Sequence, residues 1–168
     1  FFTALKELKE EHAGIANDFH LEIVGEIQPE HRAAVERHGL ASVVECRGFL
    51  PRQVSLTRQA MADALLCILP NSEEARGWVP SKLYAYLPAG KPILGIVPEG
   101  EAAQILRKTK TGLSVEPNDV PGIKRALLDM IKQRRNGGLR VSPDSEAIGA
   151  YDWKSLGRRF VELCERLA

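Results

Sequence analysis

The sequence lacks most of the short motifs that announce a chemistry. It has no Gly-x-Gly-x-x-Gly, no Walker phosphate loop and no Gly-x-Ser-x-Gly elbow, and no Cys or His pair stands at metal-ligand spacing. No apolar run approaches the roughly 20 residues that span a bilayer. The opening Phe1-Phe2, with Leu5 and Leu8 following, is a helix pattern and not a signal-peptide layout. Charge of one sign is also missing: the formal net charge is +1, so no global field argues for nucleic acid. The local basic run from Lys124 to Arg140 reads as a solvated helix end. Only three cysteines occur, Cys46, Cys67 and Cys164, odd in number and far apart, which excludes a disulfide framework and suits buried thiols in a reducing compartment. His12, His20, His31 and His38 are scattered through the early part of the chain and read as solvated side chains. There is no internal repeat and no low-complexity tract.

What is present is an ordinary globular composition, 44% hydrophobic and 27% charged over 168 residues, enough for one well-buried core. The expectation is a single domain over 1–168 whose last part, 151–168, is an amphipathic C-terminal helix. Helical periodicity covers Phe1 to Glu11, Pro29 to His38, Pro51 to Met61, Glu99 to Lys108, Val120 to Gln133 and Tyr151 to Leu167. Asn118 or Asp119 caps the fifth of these. Between them stand strand-like runs at His20–Gly25, Ser42–Arg47, Ala64–Leu69, Pro92–Val97 and Gly112–Val115. The third and fourth runs are continuously apolar, as parallel strands buried on both faces are. Arg135 to Asp144, with Asn136-Gly-Gly138 and Pro143, reads as a mobile loop.

Strands alternating with helices of this length predict an α/β fold with a doubly wound, Rossmann-like parallel sheet. In such sheets ligands bind beyond the carboxyl ends of the strands. Three loops then compete for the site: Gly25–Gln28, Gly48–Leu50 and Pro70–Val79.

The most informative stretch runs from Arg76 to Gly95 as loop, short helix and buried strand. Gly77 lets backbone approach a ligand, Pro80 suits the first helical position, and the N–H groups of Ser81, Lys82 and Leu83 are then expected to point outward. A phosphate fits there, with the Lys82 ammonium as a mobile second charge. Pro88 and Gly90 keep this helix short. Trp78 either lies over a sugar or base or closes the core. Glu73 and Glu74 are near enough for one of them to grip ligand hydroxyls, or they are exposed loop charges.

The order Glu22-Ile-Val-Gly25, Val43-Val-Glu-Cys-Arg-Gly-Phe-Leu50, Ala62-Asp-Ala-Leu-Leu-Cys-Ile-Leu-Pro70, Val79-Pro-Ser-Lys-Leu-Tyr-Ala-Tyr-Leu-Pro-Ala-Gly-Lys-Pro-Ile-Leu94 and Thr111-Gly-Leu-Ser-Val115 resembles the C-terminal, donor-binding domain of GT-B glycosyltransferases of the group 1 (family 4) type. The resemblance spans Phe1 to about Met130 and is most specific from Pro80 to Leu94. It implies one half of a GT-B architecture, lacking here its first strand and the N-terminal acceptor domain, so that the isolated chain is expected to be inactive. The intact protein is then a retaining glycosyltransferase of hexosyltransferase type. Its substrates are a nucleotide diphosphate sugar and a glycan or lipid-linked acceptor in polysaccharide biosynthesis, with no cofactor, no required metal and no nucleic acid.

The same resemblance places Lys82 and Ser81 on the leaving diphosphate beside Gly77, Trp78, Val79 and Leu83. It puts Gly48 and Phe49 at the turn that holds the base, and Gly25 with Glu26 at the loop near the phosphates. It implies a cytoplasmic location, or the cytoplasmic face of a membrane with peripheral contact.

Two departures from the family pattern matter most. Ala85 stands where the family often has the Glu that binds ribose hydroxyls. The partner of that Glu falls on Gly77, and only an insertion brings Glu74 into register, which makes Glu74 the candidate catalytic carboxylate. Pro88 also replaces a common Ala. Two alternatives therefore stay open: a degenerate, non-catalytic binding or scaffold domain, for which Ala85 speaks, and a sugar-nucleotide epimerase, against which the absence of a carboxylate and histidine constellation speaks.

Overall fold

The computed structural model describes residues 1–12, 14 and 18–167. Helices and strands alternate in the order α1 (Phe2–Glu11), β1 (Leu21–Val24), α2 (Pro29–Arg37), β2 (Val44–Gly48), α3 (Arg52–Met61), β3 (Leu65–Ile68), α4 (Ser81–Tyr86), β4 (Ile93–Ile96), α5 (Glu101–Thr109), β5 (Gly112–Val115), α6 (Val120–Arg135), α7 (Ser145–Gly149) and α8 (Trp153–Leu167). Two 3-10 turns, Glu74–Gly77 and Leu87–Ala89, flank α4. The chain divides into two compact units, Phe1–Asp63 with Val115–Leu139, and Ala64–Ser114 with Arg140–Ala168.

In the first unit β1 and β2 pair in parallel, with Leu21 opposite Val44, Glu22 opposite Glu45 and Ile23 opposite Cys46. The register then shifts between Ile23 and Val24. Helix α1 buries Ala4, Leu5 and Leu8, the stripe that its periodicity marks, and α6 buries Ile123, Ala126, Leu127 and Ile131. Lys124 of α6 ties the two helices by donating to Glu7 at 3.1 Å and Glu11 at 2.5 Å. These hydrogen bonds raise the Lys124 ammonium above its ordinary pKa. Asp119 starts α6 by accepting from the Gly122 N–H at 2.9 Å, which resolves the choice of cap left open by the sequence.

In the second unit β3 pairs in parallel with β4, Leu65 opposite Ile93 through Ile68 opposite Ile96, and the sheet order is β3-β4-β5. All four residues of β4 are buried, and α5 lays Ala102, Ala103, Ile105, Leu106 and Thr109 into the core. Thr109 is a buried polar residue, and its hydroxyl bonds the Ile105 carbonyl at 2.7 Å and the Thr111 hydroxyl at 2.8 Å. After α6, residues 136–144 form no helix or strand, in line with the expected loop, and lead into α7. Asp144 donates its N–H to Thr109 O at 2.8 Å and caps the five-residue α7 through Ala147 N–H at 3.0 Å. Helix α8 is amphipathic but buries no residue, leaving Trp153, Phe160, Leu163 and Leu167 exposed.

The α1–α6 packing leads to a stability prediction. Leu5 is fully buried, so Leu5→Ala removes apolar contact and leaves a cavity. The expected loss is about 2–5 kcal/mol, read as a lower denaturant midpoint at unchanged slope.

Candidate functional site

The loop after β3 is more ordered than a polar connection of that composition suggests. Ser72 opens it by accepting a hydrogen bond from the Ala75 N–H at 3.3 Å. The Arg76 N–H then bonds Glu73 O at 3.2 Å, the Trp78 N–H bonds Ala75 O at 3.1 Å, and Ala75 is buried as the anchor. The missed signal was Ser72 three residues before Ala75, the spacing of a side-chain cap. Arg76 also pairs with Glu73 at 3.1 Å on the exposed side of the turn.

The Glu74 carboxyl lies below its ordinary pKa, first through the bond to its own backbone N–H and then through the Ser72 hydroxyl. It is therefore an ionised acceptor at neutral pH and unsuited to donate a proton. Trp78 is 51% exposed, so of the two roles left open for it, closing the core is excluded.

Helix α4 follows, with two corrections to the expected geometry. Pro80 is the residue before the helix, extended at φ −66° and ψ 138°, and Ser81 holds the first helical position. Proline's fixed φ is compatible with either place, and here its carbonyl accepts from the Leu83 N–H at 2.8 Å. That bond and the full burial of the Leu83 side chain take Leu83 out of the set of outward donors. Ser81 and Lys82, both exposed, keep N–H groups without an intrahelical acceptor. The α-helix ends at Tyr86, tightens to a 3-10 turn across Pro88 and stops at Gly90 with φ 66°, as the proline required. Lys82 is close enough to β3 for its charge to act on Cys67, opposing the burial that pushes that thiol up. Val79 is half-buried and Gly77 exposed.

In the first unit the remaining candidates come together at the carboxyl ends of β1 and β2. The Gly25 N–H bonds Gly48 O at 2.7 Å, and both glycines need left-handed backbone, φ 112° and 68°. Glu26 and Phe49 follow them and are exposed, Phe49 by 80%. An aromatic ring left in water beside two glycine turns is a ready contact for a flat ligand group.

A sequence profile described as glycosyl transferases group 1 matches residues 1–133. The chain belongs to the group 1 glycosyltransferases. Among solved structures it is similar to AviGT4, a glycosyltransferase involved in avilamycin A biosynthesis, with a TM-score of 0.60 and 18% identity. That match covers 98% of this chain and 46% of the AviGT4 chain, so the present chain spans about half of that protein's length. Likeness at this identity carries the fold, which is the Rossmann-like α/β fold of GT-B glycosyltransferases. No curated protein matches the sequence.

In this glycosyltransferase domain Ala85 is exposed on α4, with no carboxylate at its position. Among the described residues one cluster has metal-ligand chemistry, His20, Glu22 and Glu45, whose ligand atoms lie within 4.8 Å of one another. Its charge is already balanced: Arg58 sits 2.7 Å from Glu22, and Arg47 lies 2.8 Å from Glu45 and 3.5 Å from Glu22. A cation there would have to displace two guanidinium groups, and the cluster reads as an ion-pair network on the β1–β2 pair.

The exposure of Trp78 makes its structural contribution measurable. Trp78→Ala is expected to change unfolding free energy by less than about 1 kcal/mol, far below the about 3–5 kcal/mol that a core tryptophan costs. Chemical denaturation followed by far-ultraviolet circular dichroism checks this.

Proposed function

We propose that this chain is the donor-binding half of a retaining glycosyltransferase that moves a sugar from a nucleotide diphosphate sugar to a glycan or lipid-linked acceptor. The observation that carries the reading is the group at the carboxyl end of β3, where exposed Ser81 and Lys82 follow the ordered turn of Glu74. When a glycosidic bond to a diphosphate breaks, negative charge grows on the leaving oxygen, and preorganised donors and a nearby cation lower that barrier most. Lys82 supplies the cation and Ser81 a hydroxyl and an N–H, while the ionised Glu74 accepts from the ligand's hydroxyls. Gly77, Trp78 and Val79 form the approach to that group. In the first unit the same reading assigns Gly48 and Phe49 to the base, and Gly25 and Glu26 to the phosphate loop. The chemistry needs no metal, because Lys82 and backbone dipoles meet the charge of the leaving group.

Ala85 favours a second reading, a domain that has lost sugar transfer and serves as a binding or scaffold module in polysaccharide assembly. Calorimetric titration of the intact protein with UDP, GDP and ADP separates the two. Binding of one nucleotide is expected, with Lys82→Ala weakening it by about 10- to 100-fold at unchanged thermal stability, the loss of one charge-assisted contact. Unchanged affinity would remove Lys82 from the site, and no binding of any nucleotide would favour the scaffold.

A further inference from the structure

We propose that Gly100 is a positioning residue for the turn that carries Glu74. This rests on the donor-binding reading for its functional consequence, although its structural basis is independent. Gly100 ends the connection from β4 to α5 and is the residue before α5, its carbonyl accepting the Gln104 N–H at 2.9 Å. Its φ of 172° is extended backbone open to any residue, so conformation does not demand glycine here. Space does. A Cβ at this position would lie 2.2 Å from Arg76 O, 2.7 Å from Arg76 Cα and 2.8 Å from Arg76 C. All three are backbone atoms, so no change of rotamer relieves the overlap.

The two sides of this contact differ in their freedom to move. Helix α5 is anchored by buried Ala102, Ala103, Ile105 and Leu106, and a shift there would disturb the core. The turn Glu74–Gly77 has one buried residue, Ala75, and is otherwise exposed. A side chain at position 100 therefore displaces the turn. Because Ala75, Arg76 and Trp78 are hydrogen-bonded to Ser72, Glu73 and Ala75 respectively, the turn moves as one piece and takes Glu74 and Trp78 with it. Charge supports the same seating. Glu99 is held ionised by its hydrogen bonds from Arg107, and the Arg76 guanidinium adds to that field. The Glu99–Gly100 step thus meets Arg76 through both packing and charge.

The test compares Gly100→Ala with Gly149→Ala in the intact protein, since a Cβ at Gly149 meets nothing within 4 Å. Amide hydrogen exchange at Ala75, Arg76 and Trp78 reads the turn, thermal unfolding reads the fold, and titration with UDP, GDP and ADP reads the site. Expected for Gly100→Ala are faster exchange at those three amides, a thermal midpoint close to that of the wild type and about tenfold weaker nucleotide binding, with Gly149→Ala silent in all three. Unchanged exchange overturns the proposal, as does unchanged affinity in a protein that does bind nucleotide. A wild type that binds none refutes the donor reading while exchange still decides the role of Gly100. If Gly100→Ala fails to fold, wild-type exchange decides. Protection of Ala75 and Trp78 lost in the same opening as the first turn of α5 supports the proposal, and independent, faster opening of the turn overturns it.

Discussion

Strand β4 is buried from Ile93 to Ile96 and hydrogen-bonded on both sides, and the placement of the β3–α4 and β4–α5 connections depends on that pairing. Leu65 N–H bonds Pro92 O at 2.9 Å, Leu69 N–H bonds Ile96 O at 3.0 Å, and Ile93 N–H bonds Thr111 O at 2.9 Å. Each large apolar side chain buried there contributes about 1.5–3 kcal/mol, and slippage by one residue would turn every side chain to the wrong face. With the register held, β3 and β4 end together. The loops leaving them, Pro70–Pro80 and Val97–Gly100, are then brought into contact at Arg76 and Gly100. The geometry proposed for donor binding follows from strand register first and from loop composition second.

Electrostatics at that end are local and small in scale, since the net charge of the chain is +1. Lys82 is exposed on a six-residue helix, and Glu74 is held ionised by its own backbone and by Ser72. Such a site favours a ligand that carries its own charge and hydroxyl groups over an apolar one. It also separates two functions that the family pattern joins. The proposed phosphate group consists of Ser81 and Lys82, whereas the position expected from the family pattern to grip ribose hydroxyls is Ala85, whose methyl group accepts no hydrogen bond. Within the first unit, exposed Phe49 stands beside the Gly25–Gly48 turn.

The strands and longer helices were legible because burial imposes a period or a continuous apolar run. Pro92–Val97 could only be an interior strand, and the structure trims it to Ile93–Ile96. Helix α4 was legible in length because Pro88 removes one hydrogen-bond donor. Helix α7 was not legible: five residues after Pro143 and Asp144 are too few to show a period, and its start depends on the contact from Asp144 N–H to Thr109 O, far back in sequence. The 3-10 turn at Glu74–Gly77 was hidden for a similar reason. Its polar residues look like any solvated loop, and only the burial of Ala75 makes a folded turn of them.

The sequence by itself determined the α/β class, the parallel pairing of apolar strands and the family resemblance, and it marked a candidate region for a site, because each depends on residue type along the chain. Tertiary structure alone decided which groups in that region are available. It spent the Leu83 N–H on Pro80 O, put Trp78 into solvent, lowered the Glu74 carboxyl pKa through its own backbone N–H and then Ser72, and set the Arg76 backbone against Gly100. These outcomes depend on distances between backbones and on which side chain is buried. No local pattern of residues encodes such distances, since they arise only when the strands and helices close on one another.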